Sequence, residues 1–348
     1  MKVLITGGLG YIGSHTAVEL IQAGYDVEII DNFSNGKSEA ISRIKEITGV
    51  EPRFMYVDLR RQSDLHKYFI HSRPDYIIHF AALKSVEEST QESLSYYENN
   101  VGGLINLLKA IDDAKFGLKR FVFSSSCTVY DRFAEMPVDE TTLIESSPAS
   151  PYASTKIMCE KILHDWSKNS KIAVDTLRYF NPAGAHHSGL LGEEQKVKRN
   201  LFPILMNAIA NEEVVKVYGD DYPTKDGSCV RDYIHVTDLA LGHIAAMEYE
   251  NDEDDTFRKF NLGSGCGYSV KDIIHTCAKI LNMEVQSEIA PRRRGDIPAI
   301  WADTERTSRK LGWEVKYGIE DIIRTAWEWE KKLIENERKE NHNEDTIS

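Results

Sequence analysis

The first thirteen residues constrain the fold more than any other stretch. Lys2-Val3-Leu4-Ile5-Thr6 is a short apolar run and reads as a buried strand. Gly7, Gly10 and Gly13 follow as G-x-x-G-x-x-G, and an amphipathic stretch over 12–23, closed by Gly24, reads as a helix with a glycine stop. The three glycines serve a tight turn, close approach of backbone to a pyrophosphate, and close packing of helix on strand. The helix N-terminus then offers free N–H groups and a positive dipole end to an anion. Further strand patterns at 27–31, 53–58, 75–80, 120–124 and 173–178 alternate with helical patterns at 41–47, 65–70, 94–112 and 152–168. That alternation implies a parallel sheet covered on both faces. The expectation is an α/β fold, with a Rossmann-type doubly wound domain over 1–180.

After Asn181-Pro182 the pattern shortens. A smaller C-terminal α/β substrate-binding domain is expected over 181–335, with segments near 235–262 returning to the first domain. The acidic run at 248–255 reads as a solvated loop and 336–348 as a disordered tail. A net charge of −13 argues against nucleic acid held by a general field. The five cysteines are scattered without metal-ligand spacing, which favours reduced thiols. There is no basic-then-apolar leader and no apolar run near the ~18 residues of a membrane span, so cytoplasmic residence is expected. His186-His187 has no third ligand nearby, and no metal is expected.

Asp31 closes the second strand, 18 residues after Gly13. A carboxylate there accepts hydrogen bonds from ribose hydroxyls and repels a 2′-phosphate, so NAD is the expected cofactor. Asp58-Leu59, after the third strand, either meets the adenine or caps a turn. Tyr152 and Lys156 stand four apart in Pro151-Tyr152-Ala153-Ser154-Thr155-Lys156, on one face of a helix. Free tyrosine titrates near ~10, and reaching ~7 takes about 4 kcal/mol. A neighbouring cation supplies part of that. Ser124 to Ser126 end a strand, where open α/β sheets bind ligands. Arg231 and Arg293 have the guanidinium forks that suit a diphosphate.

In this order the features resemble the extended short-chain dehydrogenase/reductase superfamily. Phe80-Ala81-Ala82-Leu83-Lys84, Tyr96-Tyr97-Glu98-Asn99-Asn100-Val101, Phe123-Ser124-Ser125-Ser126, Leu177-Arg178-Tyr179-Phe180-Asn181-Pro182, Val230-Arg231-Asp232-Tyr233-Ile234-His235-Val236, Asn261-Leu262-Gly263-Ser264-Gly265 and Arg293-Arg294-Gly295-Asp296 sharpen the likeness to the UDP-glucose 4-epimerase family, up to about residue 330. The resemblance implies an isomerase of galactose metabolism. It would interconvert UDP-galactose and UDP-glucose through a 4-keto intermediate with tightly bound NAD.

By the same resemblance Tyr152 is the base at the 4-hydroxyl, Lys156 binds the nicotinamide ribose and lowers the tyrosine pKa, and Ser126 holds the 4-oxygen. Tyr11, Ile12, Asp31, Asn32, Phe33, Ser34, Asn35, Gly36, Asp58, Leu59, Phe80, Ala81, Ala82, Leu83, Lys84, Asn99 and Phe180 would line the NAD site. Asn181, Asn200, Leu201, Lys216, Val217, Tyr218, Arg231 and 293–296, Asp296 among them, would hold the nucleotide sugar, with Lys84 also at the substrate. A homodimer through helices 94–112 and 152–168 is implied as well.

Two departures stand out. Asp131 follows Tyr130 where the family usually has Gly. Ile300 stands where a Tyr or a smaller residue often faces the sugar, so N-acetylhexosamine substrates stay open. A 4,6-dehydratase would want Thr-Asp-Glu where this chain has Ser126-Cys127-Thr128. A UDP-uronate epimerase or decarboxylase would want cations aimed at a sugar carboxylate, and none is identifiable. A non-catalytic NAD-sensing regulator would not need Ser126, Tyr152 and Lys156 together.

Overall fold

The computed structural model describes residues 1–194, 198–250, 255–293 and 295–347. Strands β1 (Lys2–Thr6), β2 (Asp26–Asp31), β3 (Arg53–Tyr56), β4 (Tyr76–His79), β5 (Arg120–Ser126) and β6 (Ala173–Tyr179) form one sheet in the order β3-β2-β1-β4-β5-β6. All of these pairings are parallel. The strand order reverses between β1 and β4, which opens the crevice where doubly wound sheets bind dinucleotides.

The remaining strands are β7 (Asn181–Ala183), β8 (Val215–Tyr218), β9 (Val230–His235), β10 (Phe257–Leu262), β11 (Gly267–Ser269), β12 (Ser287–Ala290) and β13 (Ala299–Ile300). β10 returns to the large sheet, parallel to β6, as its seventh strand. β9 pairs with β7, β11 and β13, and β8 pairs with β12.

Alternation along the strands builds two cores. Val3 and Ile5 face one side with Val18 and Leu20 of helix Tyr11–Gln22 and with Leu239 and Met247 of helix Val236–Glu248. Leu4 faces the other side with Leu107 of helix Gly103–Ala114, Phe123 of β5 and Leu163 of helix Pro151–Ser170. Each such side chain contributes roughly 1.5–3 kcal/mol by leaving water. A third core joins Leu205, Met206, Ile273, Cys277, Ile322 and Ile323 of the C-terminal helices.

Two details differ from the sequence expectation. The helix expected over 94–112 is broken by a π-helical turn at Tyr97–Gly102. The backbone stays helical to Ile347 where a disordered tail is expected. No Gly or Pro interrupts 319–347, and its Glu, Lys and Arg residues are good helix formers. Of the acidic run at 248–255, residues 251–254 lie outside the described residues.

Candidate active site

The glycine turn is built for backbone alone. Gly7 has φ +70, and a Cβ there would lie 2.7 Å from Ala81 N; one at Gly13 would lie 2.4 Å from Gly7 O. Gly10 caps the following helix without a side-chain hydrogen bond, and the first turn carries no acid. Its N–H groups are therefore left for an anion. Asp31 Oδ2 accepts from Leu9 N at 3.1 Å and Oδ1 from Phe33 N at 2.9 Å. Burial raises this carboxyl above its ordinary range, and those N–H groups pull the other way.

The turn lines a cleft of about 1670 Å³. That exceeds the roughly 300–1,000 Å³ of a single small-ligand pocket. Residues Tyr11, Ile12, 31–36, Leu59, 80–84 and Asn99 line it beside Gly7, Gly10 and Gly13. A glycine cradle that any Cβ would fill, a bare helix N-terminus and a ribose-side carboxylate fit NAD.

Helix Pro151–Ser170 brings Tyr152 and Lys156 to the cleft wall. Ser150 caps it, accepting from Ala153 N at 3.2 Å, and Pro151 occupies the first turn. That start sets Tyr152 and Lys156 beside the C-terminal end of β5. Lys156 Nζ donates to Ser124 O at 2.6 Å and lies 5.8 Å from the Tyr152 ring centroid. Ser126 Oγ accepts from Thr128 N at 3.2 Å. Burial lowers the Lys156 pKa to about 8. Burial also raises the Tyr152 phenol well above its ordinary value, Tyr179 adds to the rise, and the Ser126 hydroxyl opposes it. The phenol is thus shifted opposite to the sequence expectation, because loss of water dominates.

In the same cleft, Arg231 and Arg293 converge on one carboxylate. Arg231 Nη2 lies 3.6 Å from Asp296 Oδ1 and Arg293 Nε 3.2 Å from Asp296 Oδ2. Arg293 also stacks on Tyr218, 4.6 Å from its ring centroid. Asn181, Asn200, Leu201, Lys216 and Tyr218 line the same cleft. Arg294 lies outside the described residues.

Five expected site residues do not line the cleft: Asp58, Ser126, Phe180, Val217 and Ile300. Asp58 is occupied in a turn, accepting from Arg60 N at 3.0 Å and Arg60 Nη2 at 2.6 Å. Val217 faces the C-terminal core because strand alternation sends its neighbours Lys216 and Tyr218 to the cleft. Phe180 and Ile300 sit in a buried cluster with Cys127 and Val129. Ser126 is nearly enclosed, beside Tyr152.

Three site residues escaped the sequence reading. Tyr179 lines the cleft and shares a hydrogen bond with Ser124. Glu193 accepts from Lys84 at 2.9 Å and Asn200 at 2.7 Å. Asn100, on the π turn, exchanges hydrogen bonds with both backbone groups of Leu83 and donates to Thr155 Oγ1 at 3.1 Å. It thereby ties the cofactor loop to the Tyr152 helix. Among the described residues, no group of three or more His, Cys, Asp or Glu could hold a metal ion.

Residues 4–326 match the family model described as GDP-mannose 4,6 dehydratase. A UDP-glucose 4-epimerase of Erwinia amylovora is 44% identical over 335 residues, 95% of this chain and 98% of the relative. The solved UDP-glucose 4-epimerase from Bifidobacterium longum, in complex with NAD+ and UDP, is 40% identical with a TM-score of 0.90, covering 95% of this chain and 98% of that one. The UDP-Glc/GlcNAc 4-epimerase of Campylobacter jejuni is 35% identical with a TM-score of 0.81, covering 95% and 99%. With near-complete coverage at such identity, and a glycine turn, a Tyr-Lys pair and two arginines sharing one cleft, this chain belongs to the UDP-glucose 4-epimerase family.

Proposed function

We propose that this chain interconverts UDP-galactose and UDP-glucose, with NAD held in the cleft. The observation that carries the reading is positional: Tyr152 and Lys156 line one cavity together with the glycine turn and the Arg231–Arg293 pair. Tyr152 Oη takes the proton of the sugar 4-hydroxyl and later returns it. Ser126, enclosed beside the phenol, orients the Tyr152 proton, and Lys156 supplies positive charge there. NAD, held by the glycine turn and Asp31, would supply the hydride chemistry at carbon 4 of the sugar. Arg231 and Arg293 grip the diphosphate with charge-assisted hydrogen bonds. A firm hold there lets the sugar turn about its link while the nucleotide stays. Cys127 and Thr128 follow Ser126, so the acids of a dehydratase are missing from that place.

The test is to incubate purified protein with UDP-galactose, adding no NAD, and look for UDP-glucose. No conversion by protein that carries NAD would overturn the reading.

We extend the proposal to UDP-N-acetylhexosamines. Ile300, expected to gate the sugar, packs behind the cleft with Cys127 and Phe180 and presents no bulk to it. A negligible turnover of UDP-GlcNAc relative to UDP-glucose would exclude this extension.

We also infer a homodimer. Leu94 is 81% and Met158 45% exposed, on helices Ser93–Tyr96 and Pro151–Ser170. Light scattering that gives a monomer mass would remove it. No helix among the described residues is long and apolar enough to cross a membrane, and all five cysteines are free. Both features suit our assignment to the cytoplasm.

A further inference from the structure

Glu160 and Arg178 line no part of the cleft and take no part in the reaction above. Arg178 is nevertheless the largest fully buried side chain among the described residues. Its Nε donates to Glu160 Oε1 at 2.9 Å and its Nη2 to Oε2 at 2.6 Å, a two-point fork. Ser125 Oγ donates to the same Glu160 Oε1 at 2.6 Å. The Tyr130 ring centroid lies 4.9 Å from the guanidinium. A buried ion pair is weak evidence for stability, since apolar replacements often do as well. Its presence here needs another account.

Its location suggests one. Glu160 follows Lys156 by one helical turn, on the same face. Ser125 and Arg178 are register partners on β5 and β6. Ser125 stands between Ser124, whose carbonyl takes the Lys156 ammonium, and Ser126, beside Tyr152. Tyr179, next after Arg178, is hydrogen-bonded to the Ser124 hydroxyl. The ion pair therefore fastens helix to strand where the reacting groups meet.

We propose that Arg178 and Glu160 are positioning residues: through Ser125 they hold the Ser124–Ser126 strand end against Tyr152 and Lys156, and their opposite charges balance the field there. The inference rests on the proposed acid–base role of Tyr152. Glu160 also favours the charged form of Lys156 against the effect of burial. Tyr130 and Lys259 face the ion pair itself; the other titratable groups facing Tyr152 and Lys156 are His79 from β4, Cys159 from the same helix, Cys127 after β5, Tyr96 and Tyr179. Burial lowers His79 to about 3, raises both thiols and Tyr179 to about 12, and pushes Tyr96 up. None of them titrates near neutral pH, so the ion pair is the charge to vary.

The experiment is the pH profile of kcat, with KM and bound NAD measured on the same preparations. Glu160→Gln leaves the guanidinium unmatched, favours the phenolate, and should move the Tyr152 limb down by about one pH unit. Arg178→Met leaves the carboxylate unmatched and should move it up by about as much. The double variant should return the limb to the wild-type pH. A clamp that only braced the fold would not move the two single variants in opposite directions. Shifts of one sign, or none, overturn the proposal. Where a single variant does not fold, Ser125→Ala decides. It keeps both charges, and kcat should fall about tenfold at unchanged KM and unchanged limb; unchanged kcat overturns the proposal. Tyr152→Phe is made alongside. Wild-type turnover in that variant removes the reading of Tyr152, whereas an inactive Tyr152→Phe with unmoved limbs removes only the positioning role.

Discussion

Three alanine substitutions separate the two reasons a glycine can be required in the dinucleotide turn. Gly13→Ala keeps an ordinary helical conformation, but its Cβ would lie 2.4 Å from Gly7 O and 2.8 Å from Gly8 Cα. Both are backbone atoms and cannot rotate away. Gly24→Ala is the opposite case: φ is +86 and nothing lies within 4 Å. Gly7→Ala combines both, with φ +70 and Ala81 N at 2.7 Å. A left-handed alanine costs about 1–2 kcal/mol, and overpacking against fixed atoms about 1–3 kcal/mol or more.

Gly24→Ala should therefore lose about 1–2 kcal/mol of stability and keep its NAD. Gly13→Ala must shift the turn away from the helix, which misplaces the N–H groups that meet the pyrophosphate. Losing about 2–3 kcal/mol of binding weakens NAD roughly 30- to 150-fold. Gly7→Ala should show both losses. The assay is NAD released per chain on denaturation, beside urea unfolding of each variant. Full NAD content in Gly13→Ala, with a stability no lower than that of Gly24→Ala, would refute the steric argument.

Other outcomes are expected. Tyr152→Phe should lower kcat by about 10²–10⁴-fold while retaining NAD; turnover within a few-fold of wild type removes Tyr152 as the acid–base group. Lys156 titrates near 8 when folded and near ~10.4 when unfolded, so its burial opposes folding fully below pH 8. Between about 8 and 10 the unfolded chain binds more protons, and stability rises with pH. Relative to Lys156→Met, the wild type should gain stability over that window in urea unfolding, and a flat difference contradicts the assignment. Arg293→Ala should weaken inhibition by UDP by about 1.5–3 kcal/mol, with the salt dependence of binding reduced; an unchanged inhibition constant would place the diphosphate elsewhere.

The strands β1, β2, β4, β5 and β6 were legible because parallel strands buried in the sheet read as continuous apolar runs, whereas β3, an edge strand with Met55 and Tyr56 exposed, was legible by its apolar and aromatic residues. β10 gave a weaker signal for a physical reason. Its Phe257-Arg258-Lys259 carries charge into a sheet, and Arg258 is buried only because Asp175 on β6 meets it at 2.6 and 2.9 Å. No local pattern announces such a partner, 83 residues away. The same holds in the site. Gly7, Gly13, Tyr152 and Lys156 declare themselves by short spacing. Glu193 meets Lys84 across 109 residues, which no spacing reveals. Ile300 was placed at the sugar by likeness alone. β13 has only two residues, and alternation over so short a strand fixes no face.

The sequence expectation for Tyr152 treated charge without solvent. A lysine four residues away favours a phenolate, yet the same fold that brings them together takes both from water. Burial penalises the charged form of each, so the phenol rises and the ammonium falls from one cause. The two directions are therefore not separate design features. They follow from a helix whose first turn is packed against the end of β5, with Tyr152 7% and Lys156 3% exposed. That packing also keeps water from the atoms where a sugar would exchange its proton. A more exposed tyrosine would ionise more readily and guard the site less well. The chain settles this conflict toward enclosure, and any positive charge brought beside the phenol in the cleft acts at low dielectric, where it shifts a proton furthest.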